Sequence, residues 1–366
     1  MRVLMTTDTV GGVWTYATEL AAALSARDVD VVLATMGAPL STSQQTEASR
    51  IPRVSIEESA FRLEWMANPW TDVDAAGEWL LDLERRYRPD VVHLNGYAHA
   101  ALGWSAPTIV VGHSCVRSWH EAVRGAPAGA EWDEYTRRVT AGLERAHAVV
   151  APSRYMRDAL VRHYGVRREM RVIYNARSAA AFAPAEKESF VFAAGRVWDV
   201  GKNLRLLDAA AATIVWQVFA AGPTESPDGH TYFASAMQTL GVLAPADVRS
   251  WLARACIFAH PARYEPFGLS VLEAAMCGCA LVLGDIATLR ELWTGAAVFV
   301  DPTNDEALAR AVNDLCGNPS RCISLGARAR ARARHFTPAR MAAAYLGLYA
   351  DVLARTVDPE VMACAS

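Results

Sequence analysis

The chain has 366 residues, of which 52% are hydrophobic and 20% charged. That fills the cores of two ordinary domains and excludes an intrinsically disordered chain. A net charge of −3 leaves no electrostatic footprint for nucleic acid, and no apolar run approaches the roughly 18 residues of a membrane span.

Short apolar runs alternate with helical periodicity along most of the sequence. Strands are predicted at 3–6, 29–34, 91–94, 108–112, 148–151 and 171–174, with helices at 13–25, 75–87, 135–144 and 154–164 between them. Residues 175–189 lose both periodicities. A second series of strands follows at 190–194, 214–221, 256–259, 280–283 and 298–300, with a helix over 204–212. A long Ala-, Leu- and Tyr-rich helix over 338–353 closes the pattern. Strands that are apolar throughout fit sheets buried on both faces, and β/α alternation implies parallel sheets with right-handed crossovers. The expected fold class is α/β, with two doubly wound domains at 1–178 and 179–337 and a closing segment at 338–366. Ligands bind such sheets beyond the carboxyl ends of the strands.

Residues 263–273 read RYEPFGLSVLE and lie between the strand at 256–259 and an apolar helix start. Glu265 falls in the loop and Glu273 one turn into the helix. Between them Gly268 permits close backbone approach, and the first amides of the helix, near Phe267, Leu269 and Ser270, suit an anion. Carboxylates repel phosphate, so two of them flanking an anion site point to hydroxyl groups on the same ligand. A sugar nucleotide has both. The segment resembles the E-x7-E signature of retaining glycosyltransferases of the GT-B fold, family 4 (glycosyl transferases group 1). The resemblance implies two Rossmann-like domains facing a central cleft, with Glu265 on the donor hexose and Glu273 on the ribose. It also implies that the last helix returns to the N-terminal domain.

Further segments match the same family. The loop at 195–203 places Arg196 and Lys202 where they can converge on one diphosphate, and it resembles the family's G-R…K segment, which neutralises the leaving group. Gly11 and Gly12 follow the first strand and open the first helix, resembling the N-terminal glycine loop that reaches the donor diphosphate. Gly222, and the stretch containing Val242 and Leu243, resemble segments that contact the donor and its base. His113 ends the fourth of the predicted first-half strands. It is either a structural residue or, as the family implies, a contact to the sugar or reacting phosphate. Asn95 and Tyr97 end another strand of the same half, and together with Trp119 they are placed on the acceptor side.

Other features read two ways. Eleven arginines between Arg117 and Arg171, and a cluster from Arg321 to Arg334, are solvated helix faces or an attraction to an anionic membrane surface or phosphorylated acceptor. Only Lys187 and Lys202 are lysines. Seven of the eleven tryptophans lie in the first 132 residues, either packing the core or lining an acceptor pocket. The seven cysteines, at 115, 256, 277, 279, 316, 322 and 364, are odd in number and follow no secretory leader. They argue against a disulfide framework and for a cytoplasmic protein. Cys277 and Cys279 lack the partners of a zinc site and read as small buried residues.

The expected activity is retaining transfer of a hexose from a nucleoside diphosphate sugar to a hydroxyl acceptor. That acceptor is a glycan, a lipid-linked group or a small molecule, anionic or membrane-associated in one reading. No metal and no cofactor are expected, since the cations can neutralise the diphosphate and no D-x-D-like acidic motif stands in a suitable loop. An epimerase on the same fold, or a non-catalytic sugar-nucleotide-binding subunit, are the alternatives.

Overall fold

The computed structural model describes residues 1–226 and 229–357; Cys364 lies outside them. The chain falls into two compact units. The first comprises Met1–Ser118, Pro127–Ala176 and the residues from Pro338 on, and the second Trp119–Ala126 and Arg177–Thr337.

The first unit contains β1 (Arg2–Asp8), α1 (Gly12–Ser25), β2 (Asp30–Met36), α2 (Thr42–Ser49), β3 (Val54–Glu58), α3 (Trp70–Tyr87), β4 (Val91–Leu94) and β5 (Thr108–Val111). Helix α4 (Val116–Arg124) starts in this unit, and α5 (Asp133–Arg145), β6 (Ala148–Ala151), α6 (Arg154–Tyr164) and β7 (Met170–Val172) complete the first run. Among the described residues these strands form one seven-stranded sheet ordered β3-β2-β1-β4-β5-β6-β7, and every pairing is parallel. Side-chain alternation explains why the strands are apolar throughout. Val3 and Met5 of β1 pack into one core with residues of α1, while Leu4 packs into another with Leu80 of α3 and Val139 of α5.

In the second unit β8 (Glu188–Ala194), α7 (Leu204–Ala211), β9 (Gln217–Ala221), β10 (Gln238–Thr239), α8 (Pro245–Arg254), β11 (Ala255–His260) and α9 (Leu269–Met276) follow in order. Then come β12 (Ala280–Gly284), α10 (Ala287–Trp293), β13 (Ala297–Val300), α11 (Asp305–Cys316) and α12 (Pro319–Ala333). The six strands described form a parallel sheet ordered β10-β9-β8-β11-β12-β13. One face carries Val191, Ala193 and Ile257 against α7 and α11. On the other, Phe192 stacks on Trp251 of α8 with ring centroids 5.7 Å apart.

The strand predicted at 214–221 begins only at Gln217. Residues 213–215 are held as a loop because Asn313 takes both their polar ends, donating to the Thr213 carbonyl (2.9 Å) and accepting from the Val215 amide (3.0 Å).

The last helix, α13 (Pro338–Val357), belongs to the first unit. Its Met341, Tyr345 and Tyr349 are buried in the core shared by Val3, Met5 and Tyr16. No helix among the described residues is long and apolar enough to cross a membrane.

Candidate active site

In the second unit two loops at strand carboxyl ends are fastened together. One joins β8 to α7 and the other β11 to α9. The amides of Arg263 and Tyr264 both donate to the Gly201 carbonyl (2.9 and 3.2 Å). Asn203, at φ +59°, donates its side-chain amide to the carbonyls of Pro261 and Pro302, each at 2.8 Å. The neighbouring loop after β9 joins the first of them, since the Val197 amide donates to the Pro223 carbonyl (2.9 Å), and its Gly222 amide donates to the Gly241 carbonyl beyond β10 (2.8 Å). Gly222 has φ +138°, and a Cβ there would lie 1.9 Å from the Gly195 carbonyl oxygen. Only glycine lets these two backbones meet. Gly222 and the stretch bearing Val242 and Leu243 are thus brought beside the Arg196–Lys202 loop.

This arrangement delivers the ionisable groups. Lys202 Nζ donates to Glu265 Oε2 at 2.6 Å, and His260 Nε2 lies 2.9 Å from the same oxygen. A carboxylate oxygen only accepts, so His260 carries its proton on Nε2. Burial pushes the Glu265 carboxyl up, but the Lys202 charge and the His260 hydrogen bond outweigh it, and its pKa ends well below the usual carboxylate range. Glu265 is held ionised with Oε2 accepting two hydrogen bonds, and Oε1 can accept from a ligand hydroxyl.

Arg196 bonds Asp199 through Nε (3.1 Å) and a terminal nitrogen (2.5 Å), and the other Asp199 oxygen accepts from the Gly201 amide (2.8 Å). The buried Asp199 therefore shapes the loop and aims Arg196. Gly268 caps α9 in the left-handed region, at φ +90°. Leu269 and Ser270 follow as its first residues, and Phe267 is buried against Phe336. Glu273, one turn into α9, pairs with Arg177 at 2.7 Å, both largely buried. The sequence reading missed Asp199, His260 and Arg177. None carries a motif signal of its own, and each is identified by what it touches.

Trp119 lies in this second unit. A Cβ on Gly201 would come within 3.1 Å of its Nε1, so its indole stands against the cation-bearing loop.

In the first unit the residues expected at strand ends occupy three adjacent strands. Residues 8–12 follow β1, Asn95 and Tyr97 follow β4, and His113 follows β5. Asp8 accepts from the amides of Val10 (3.1 Å) and Gly11 (2.9 Å). The Gly11 amide is therefore already bonded within the loop. Gly12 begins α1. His113 Nε2 lies 2.9 Å from Asn95 Oδ1, and its ring meets the Tyr16 ring edge-on at 4.5 Å. Burial among these neighbours pushes the His113 pKa down to about 3, and the residue as a whole is half-buried.

Tyr97 does not line an acceptor surface as expected. It is buried, and its hydroxyl donates to the Ser114 carbonyl (2.7 Å). Glu64, from the tryptophan-rich stretch, accepts from the amides of Tyr97 and Ala98 and pins this corner. Trp70 and Trp79 pack against the core, and Trp65 is exposed. Cys115 is buried 3.0 Å from the Ser118 hydroxyl, and burial pushes its thiol pKa up, which suits a structural residue.

Comparison with known proteins identifies the family and the fold. The Glycosyltransferase Family 4 profile matches residues 10–179, and that of Glycosyl transferases group 1 matches residues 178–332. An alpha-maltose-1-phosphate synthase from Mycolicibacterium smegmatis is 30% identical over 70% of this chain and 76% of its own. The chain belongs to the glycosyl transferases of group 1. This glycosyltransferase has the GT-B fold. The sucrose-phosphate synthase of Thermosynechococcus elongatus superposes with a TM-score of 0.77 at 19% identity, covering 97% of this chain and 99% of its own. Anabaena HepE, solved in complex with UDP and glucose, gives 0.75 at 16% identity, covering 96% and 99%. At such identities the likeness speaks for the fold.

Proposed function

We propose that this glycosyltransferase moves a hexose from a nucleoside diphosphate sugar to a hydroxyl acceptor with retention of configuration. The observation that carries the reading is the fastened loop pair of the second unit. It sets an ionised Glu265, Lys202, Arg196 and the opening of α9 within one assembly. A sugar nucleotide needs each part: hydroxyl acceptors for the sugar, cations and helix amides for the diphosphate.

In the reaction the bond from the anomeric carbon to the diphosphate oxygen breaks, and the acceptor oxygen bonds to that carbon on the same face. The leaving phosphate oxygen takes the acceptor's proton. Arg196 and Lys202 offset the charge that appears on the leaving group, which is where fixed cations accelerate such a step. Glu273, neutralised by Arg177, can accept from ribose hydroxyls without repelling the phosphates. The reaction is proposed to need no metal; loss of turnover in EDTA, restored by Mg²⁺ or Mn²⁺, speaks against that. The acceptor is proposed to be anionic, in keeping with the arginines of the first unit and with a relative named for a sugar phosphate.

The test is thermal stability against UDP-, GDP-, ADP- and TDP-sugars. A ligand at one hundred times its dissociation constant stabilises by about 2.7 kcal/mol, a shift of a few degrees. A selective shift lost in Lys202→Ala supports the donor site. Absence of any shift, together with absence of transfer from every donor, overturns it.

A further inference from the structure

Asn95 ends β4 beside His113 at the end of β5, and its polar atoms are committed. Its backbone amide donates to Thr6 Oγ1 (2.9 Å), and its side-chain Nδ2 donates to the Thr6 carbonyl (2.6 Å). A carbonyl oxygen can only accept, which fixes the orientation of the Asn95 amide group: the nitrogen faces Thr6 and the oxygen faces away. That oxygen lies 2.9 Å from His113 Nε2. It too can only accept, so the proton of a neutral His113 ring must sit on Nε2, leaving a lone pair on Nδ1.

We propose that Asn95 is a positioning residue that fixes His113 as the Nε2–H tautomer, so that Nδ1 offers a hydrogen-bond acceptor at the carboxyl end of β5. With Nε2–H held by Asn95, the Nδ1 lone pair accepts from a hydroxyl and cannot donate to a phosphate oxygen. The chemistry selects a hydroxyl-bearing ligand as the partner of His113; that use, though not the tautomer, rests on the glycosyl-transfer reading. Two observations hold the arrangement in place. Thr6 is buried on β1, the strand next to β4, so the Asn95 anchor is part of the sheet. The Tyr16 ring, edge-on at 4.5 Å, limits how far the imidazole can turn. Enclosure of the ring favours its neutral form.

The test is nitrogen NMR of the full-length protein labelled with ¹⁵N in its histidines and free of ligand, so the identity of the donor cannot affect the result. In the native protein His113, assigned by His113→Gln, is expected to show a protonated-type Nε2 and a lone-pair-type Nδ1 at pH 7. Asn95→Asp keeps an accepting oxygen in place and should keep Nε2 protonated. Asn95→Ala removes it and should give averaged shifts from both tautomers. A native His113 with its proton on Nδ1 overturns the proposal, and so do unchanged shifts in a folded Asn95→Ala. If Asn95→Ala fails to fold, the native spectrum alone decides.

Discussion

Lys202 and His260 share one oxygen of Glu265, the lysine at 2.6 Å and the histidine at 2.9 Å. The lysine stands in the β8–α7 loop and the histidine is the last residue of β11, so the carboxylate ties that loop to the end of the strand.

Removing Lys202 should cost stability as well as activity. Lys202→Ala leaves Glu265 buried with only His260, and breaking a buried ion pair by deleting one partner costs about 3–5 kcal/mol. Lys202 is partly exposed, which places the expected loss near the lower end. Urea unfolding of Lys202→Ala, Glu265→Gln and the double variant checks this. The double variant should be more stable than the sum of the single losses, and strict additivity means that the pair is not coupled.

Acid stability should depend on His93 while ordinary carboxylates are still ionised. His93 is buried between the Tyr16 hydroxyl (3.2 Å) and the Tyr349 hydroxyl (2.7 Å). Burial and the nearby His113 lower its pKa from 6.5 to about 3. A base with a depressed folded pKa stays neutral when folded and takes a proton when unfolded. Its contribution is present above the unfolded value and is lost as pH falls from about 6.5 toward 3, by up to about 1.4 kcal/mol per pH unit. Glu265 adds a second loss with the same sign at lower pH, starting near its unfolded value of 4.5. Unfolding free energies at pH 7, 6 and 5 should fall for the native protein, and less steeply for His93→Gln. Parallel slopes count against His93.

Gly222→Ala should be severe. The added Cβ meets a backbone oxygen at 1.9 Å in a conformation only glycine favours, so the Gly195 and Gly222 loops must separate. A loss of at least about 2 kcal/mol is expected, read from the urea midpoint, with donor binding lost as well. Gly103→Ala, where a Cβ meets nothing within 4 Å, is the control.

Asp208 offers a local test. Its carboxylate accepts from the Tyr232 hydroxyl, the Ser235 amide and hydroxyl, and the amides of Ala236 and Met237. Burial pushes its pKa up, but these donors prevail and hold it at about 2. Asp208→Ala leaves the donors of the loop before β10 without their acceptor, at a cost of about 1–3 kcal/mol. Amide exchange should quicken at 232–239 and stay unchanged in the first unit.

The parallel sheets were legible because apolar strands and helical periods alternate without ambiguity, and some ends were written in the sequence. Helix α6 runs from the Ser153 cap, which accepts from the Met156 amide, to Gly165 at φ +65°, matching the predicted 154–164. Strand β3 escaped notice because Val-Ser-Ile-Glu-Glu is an edge strand, paired only with β2, and needs no continuous apolar run. The motif residues of the second unit were found because glycines and charges stand in a recognisable order. Their supports were not, because Asp199, His260 and Arg177 act through contacts set by tertiary packing. Asn95 was readable as a strand-end residue, but its inward bonding to Thr6 depends on which strand lies beside β4.

Helix α13 is the last described element of the chain, yet it fills the core built on the first. Synthesis therefore releases the strands of the N-terminal unit long before the piece that closes them. Until Tyr345 and Tyr349 emerge from the ribosome, the face formed by Val3, Met5 and Tyr16 stays open to water, a surface of the kind chaperones hold. The first unit begins to be made before the second and is completed after it. A chain that stops short of residue 338 leaves that unit unsealed.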